Sequence, residues 1–98
     1  MFVKYLISGF DEIPIAMKYD MRIGRCIVGG HPRHIAVMDS IVTDYFERKG
    51  IPRKKYPARN KVRMEFDIAN KKFFDGVERM KSCGIVVSEV KRHGRLMR

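Results

Sequence analysis

A chain of 98 residues, 45% of them apolar, has the size and composition of one domain around one hydrophobic core, which excludes a disordered segment. No apolar run approaches the roughly 20 residues that span a bilayer, and Lys4, Tyr5, Asp11 and Glu12 break up the N-terminus, so no secretory leader is expected. The net charge of +10 attracts phosphates, nucleic acids and anionic surfaces, and it opposes self-association.

Phe2 to Ser8 reads as a strand, rich in β-branched and aromatic residues and closed by Gly9. Phe10 to Asp20 reads as a connector, because Pro14 suits neither a mid-helix nor a central strand. Arg22 to Val28 reads as a second strand, with Ile23, Ile27 and Val28 as its apolar content and Gly29-Gly30 as its stop. Pro32 to Lys49 carries the strongest helical signal. Ile35, Met38, Ile41, Val42, Tyr45 and Phe46 form one apolar stripe, Pro32 suits the first helical position, and Gly50 suits the left-handed position past the end.

Ile51 to Asn60 reads as a loop punctuated by Pro52 and Pro57. Lys61 to Ile68 alternates without a fault, so Val62, Met64, Phe66 and Ile68 should face the core together. Asn70 is placed to cap a second helix with the stripe Phe73, Phe74, Val77 and Met80; Gly76 weakens that helix and Gly84 stops it. Ile85 to Val90 makes a last strand, and 91–98 is a basic tail. The expected architecture is a single α+β domain over 1–98. It is a two-layer α/β sandwich of about four strands, in the order β-β-α-β-α-β, with two helices on one face. Its crossovers are right-handed if the flanking strands are parallel.

Cys26 and Cys83 fit neither a Cys-x-x-Cys pair nor a disulfide framework, so both read as small core residues of a protein in a reducing, cytoplasmic compartment. With His31, His34 and His93 they give no metal-ligand spacing, so neither metal nor cofactor is expected. The serines lie in no Gly-x-Ser-x-Gly elbow.

Two segments can carry chemistry. In Gly29-Gly30-His31-Pro32-Arg33-His34 a strand end meets a helix start, where free N–H groups and the positive end of the helix dipole converge. Gly29 and Gly30 would let the backbone curl around an anion, Arg33 would add a fork of donors, and His31 and His34 would add groups able to carry a proton. The plainer alternative is a Gly-Gly turn with His31 capping the helix. The second segment holds Arg53, Lys54, Lys55, Tyr56, Arg59 and Lys61, where cations would neutralise phosphates and Tyr56 could stack on a base. Its plainer alternative is a solvated hinge with Tyr56 tucked against the core.

Phe2-Val3-Lys4-Tyr5-Leu6-Ile7 is similar to the Phe-Lys-Tyr-type opening strand of the Janus/Ocnus family, whose best-known members are phosphohistidine phosphatases. The resemblance extends to His34 at the start of an amphipathic helix ending in Gly50, and to the strand, helix and strand across Val62 to Val90. It implies that His34 is the catalytic base or nucleophile and that Lys4 helps hold phosphate; His31, from the segment itself, is a second catalytic candidate. The chain departs from the family at Asp67-Ile68-Ala69-Asn70, where the family has a polar, glycine-containing turn.

The leading expectation is a small domain binding a phosphorylated or other anionic ligand at the Gly29–His34 segment, with Lys4, Gly29, Gly30 and Arg33 as the anion contacts. One alternative is a phosphohistidine phosphatase-like hydrolase using His34. The other is a nucleic-acid-binding accessory protein using the basic segment 53–61.

Overall fold

The structure, a computed structural model, describes residues 1–90; the basic stretch 91–98, expected as a tail, lies outside them. The strands are β1 (Phe2–Ser8), β2 (Ile15–Asp20), β3 (Arg25–Gly30), β4 (Arg53–Tyr56), β5 (Lys61–Asp67) and β6 (Val86–Glu89). The helices are α1 (Ile35–Phe46) and α2 (Asn70–Ser82), and short 3-10 turns cover Pro32–His34 and Pro57–Arg59. The class is α+β as expected, but the sheet has six strands, in the order β4-β5-β3-β2-β1-β6, where about four were expected. Every strand pair is antiparallel, so the handedness rule for parallel crossovers does not apply.

The two additional strands have separate causes. Ile15, Met17 and Tyr19 are fully buried and alternate with Ala16, Lys18 and Asp20. Pro14 stands just before this strand, where its missing N–H costs no ladder bond. β4 is Arg-Lys-Lys-Tyr at the sheet edge, wet on both faces and therefore without alternation. Its cations also blunt an edge that would otherwise pair with other chains. The second expected strand begins later than Arg22. Met21 to Gly24 form the β2–β3 turn, Asp20 Oδ1 accepts the Arg22 N–H (3.0 Å), and Ile23 is 64% exposed. Gly29 and Gly30 do not stop β3 but are its last two residues.

Val62, Met64, Phe66 and Ile68 are all buried, in the register that the alternation requires. Both helices cover this one face, on which Tyr5, Tyr19 and Phe66 meet the rings of Phe73 and Phe46. Met38, Met64 and Met80 are fully buried. Cys26 is buried, whereas Cys83 is exposed just past the end of α2. α1 ends three residues before Lys49, because Glu47 takes the left-handed conformation (φ 56°). The Arg48 guanidinium then bonds the Asp67 carbonyl (3.0 Å), tying the helix end to the end of β5. Asn70 is the first residue of α2 and not its cap. Its side-chain oxygen lies 2.6 Å from the Tyr19 hydroxyl, which donates to the Ile68 carbonyl (2.6 Å). No helix of the described residues is long and apolar enough to cross a membrane.

Gly76 sits where α2 crosses α1. A β-carbon there would stand 2.6 Å from Phe46 Cε1 and 2.7 Å from the Tyr45 carbonyl oxygen. On an exposed helix Gly76→Ala would gain roughly 1 kcal/mol of propensity. At this contact it should instead cost about 1–3 kcal/mol through overpacking. Chemical denaturation checks this, and a stabilised variant would contradict the packing described.

Candidate functional site

The segment from Gly29 to His34 is built as a brace. Gly29 and Gly30 are buried in extended backbone and pair with Arg63 and Val62 of β5, so they form no concave cradle for an anion. His31 Nδ1 accepts the Arg33 N–H (3.1 Å) and caps the 3-10 turn. Its other nitrogen, Nε2, lies 2.9 Å from the Asn60 side-chain amide at the tip of the β4–β5 hairpin.

Asp11 completes the brace from the β1–β2 connection. Its Oδ1 accepts the Ile13 N–H (2.7 Å), and its Oδ2 lies 2.8 Å from His34 Nε2 and 2.9 Å from Arg33 Nε. The Ile13 N–H first, then His34 and Arg33, hold the Asp11 carboxyl below its ordinary range against a partial desolvation. His34 is 5% exposed, and its Nδ1 is buried without a partner. Nε2 is taken by Asp11 and Nδ1 is buried, so no ring nitrogen is open to a substrate. Arg33 pairs with Asp11 through Nε alone, and its side chain is half exposed. Lys4 points to the sheet face opposite the helices.

That helix-free face carries the larger accumulation of charge. Residues directly opposite each other in an antiparallel sheet share a face. Lys4 of β1 stands opposite Lys18 of β2, and Lys54 of β4 stands opposite Arg63 of β5. Like charges placed this way destabilise a sheet. Lys54 is relieved by Glu65 (3.4 Å), and Arg25 by Asp67 (3.1 Å). Lys4, Lys18, Arg59, Lys61 and Arg63 have no carboxylate within ion-pair distance among the described residues. Partial burial, and then Arg63, Lys4, Arg59 and Lys18 in that order, push the Lys61 ammonium below its ordinary pKa. These cations from β1, β2, β5 and the 57–59 turn thus feel one another.

The segment 53–61, expected as a loop, is a hairpin built of β4, the 3-10 turn and β5. It divides the basic residues expected there. Arg53 faces α1 and pairs with Asp39. Lys54, Tyr56 and Lys61 belong to the helix-free face. Tyr56 is half-buried, with Arg63 Cζ 4.9 Å from its ring centre. Lys55 and Arg59 border the same end of the sheet. Lys18 and Arg63 were not singled out from the sequence, although Arg63 stands on the polar side of the alternating 61–68 run. Lys18 becomes visible as a site residue only once β2 is recognised as a strand.

Among the described residues no group of three or more His, Cys, Asp or Glu side chains could hold a metal ion. No family model matches the chain, and neither a curated protein nor a solved structure does.

The depressed Lys61 pKa has a sign that can be measured. Below the ordinary value of 10.5 the unfolded chain holds this proton more tightly than the folded one. Lys61 therefore makes stability rise with pH through the window beneath that value. Side-chain NMR titration should place Lys61 below Lys71, which Asp75 raises above its ordinary value. A Lys61 midpoint at or above that of Lys71 would mean that the cations do not converge.

Proposed function

We propose that this domain binds nucleic acid through the helix-free face of its sheet. The observation that carries the reading is the group Lys4, Lys18, Arg59, Lys61 and Arg63, which has no carboxylate partner among the described residues. A phosphate backbone supplies the missing negative charge as a line of charges, which suits cations spread over several strands better than a single small anion does. Sheet faces without helices are also broad enough to take an extended strand. The apolar positions Leu6 and Ile27 lie among the cations and offer contact to sugar and base. The overall charge of +10 speeds the approach of such a partner.

Binding driven by phosphate contacts weakens linearly on a log–log plot against salt, with a slope near −0.7 per phosphate on single strands. The double variant Lys4→Gln/Lys18→Gln should flatten that slope by about 1.4, as expected for two lost contacts. Fluorescence anisotropy with labelled oligonucleotides across a salt series measures it. Absence of binding at low salt, or a slope unchanged in the double variant, would overturn the reading.

A further inference from the structure

At one end of the basic face lies a concavity of about 400 Å³ lined by Lys55, Tyr56, Pro57, Ala58, Arg59 and Arg63. We propose, resting on the nucleic-acid reading above, that this concavity holds one unpaired nucleobase stacked against Tyr56, so that the domain prefers single strands to duplex. The volume falls in the range of small-ligand clefts, roughly 300–1,000 Å³. Three of its lining side chains are cations, and none is a carboxylate. It combines an aromatic face with positive charge, the two elements that hold a base and its phosphate together.

The Tyr56 ring is already used in this way by the protein itself. Arg63 lies diagonally across the β4–β5 pair, and its guanidinium stacks on the ring at 4.9 Å. A flat, cationic group has thus been seated where a flat base would compete or add a layer. When a strand binds, the Arg63 fork can turn to the phosphate that follows the stacked base.

The wall opposite is pre-formed. The 57–59 turn closes through the Asn60 N–H bond to the Pro57 carbonyl (3.0 Å), with Asn60 in the left-handed conformation (φ 49°). The Asn60 side chain is held by His31 (2.9 Å). The Gly29–His34 brace thereby fixes the pocket rim, and little ordering is left to be done on binding. Duplex DNA buries its base faces in its own stack and can offer this pocket only an end. An unpaired strand can place a base in it and run its backbone on past Lys61, Lys18 and Lys4.

The experiment uses the full chain with an oligothymidylate and with a blunt-ended duplex carrying the same number of phosphates. A strand with one 2-aminopurine reports stacking directly. The expected result is tighter binding of the single strand at equal salt and quenching of the 2-aminopurine. Tyr56→Ala should lose roughly 5- to 150-fold in single-strand affinity, the range given by one lost base stack. Its salt slope and its duplex affinity should not change, and Tyr56→Phe should bind like the unaltered protein. Equal affinity for single strand and duplex, without quenching and without an effect of Tyr56→Ala, would overturn the pocket and leave the basic face standing. Failure of both nucleic acids to bind at low salt would overturn the basic face and the pocket with it.

Discussion

Phe73 of α2 stands between Tyr19 of β2 and Phe46 of α1, stacked on both, with centroids 4.1 and 5.5 Å away and planes within 9° and 7° of parallel. Three elements far apart in sequence are fixed by this one ring. Aromatic pairs of this kind add about 0.5–1.5 kcal/mol each beyond the area they bury. Gly76, one turn further along α2, lets the two helices close to contact behind it. Both helices are thereby held on the same face of the sheet, and no element of the described residues covers the other face.

What happens on the uncovered face follows from hairpin register. β1–β2 pairing sets Lys4 against Lys18, and β4–β5 pairing sets Lys54 against Arg63. Neither pairing can slip by one residue without turning Tyr5, Ile7, Met17 or Met64 out of the core. The like-charge contacts are therefore imposed by the core on the opposite face. The sequence could have answered them with carboxylates, as it does with Glu65 for Lys54 and Asp67 for Arg25. At Lys4, Lys18 and Lys61 it does not. Standing repulsion that the fold tolerates without compensation is a stability cost, and such costs gather where a partner supplies the missing charge.

Much of this fold was legible in the residues, and the failures have physical causes. β5 alternates over its whole length, so its register and its buried side were fixed by period alone. The apolar stripe of α1 was equally plain, although its end was not: the left-handed residue that closes the helix is Glu47, and Gly50, also left-handed, lies three residues beyond it. β4 could not be read because an edge strand with both sides wet has no hydrophobic period. Gly29-Gly30 resembled a stop because glycine weakens strands, yet here β2 and β5 on either side hold the backbone extended. The site was harder. The basic hairpin was visible as a cluster of cations, but Lys4 and Lys18 come together only through hairpin pairing, and Lys61 joins them only because β3 and β5 are neighbours. The partnership of Asp11 with His34 and Arg33 likewise joins a connector to a helix start, and no local pattern announces it.

If the uncovered face binds a polyanion as proposed, its lysines repel one another in the free protein and are satisfied in the complex. Lys18→Glu tests both halves at once, because it replaces a like-charge cross-strand pair with an opposite-charge pair. Denaturant unfolding at low salt should show the variant more stable by about 0.2–1 kcal/mol, the scale of such a pair. The same variant should bind single-stranded oligonucleotide more weakly than the unaltered protein. A variant that is no more stable, or one that binds as tightly as before, would contradict the claim.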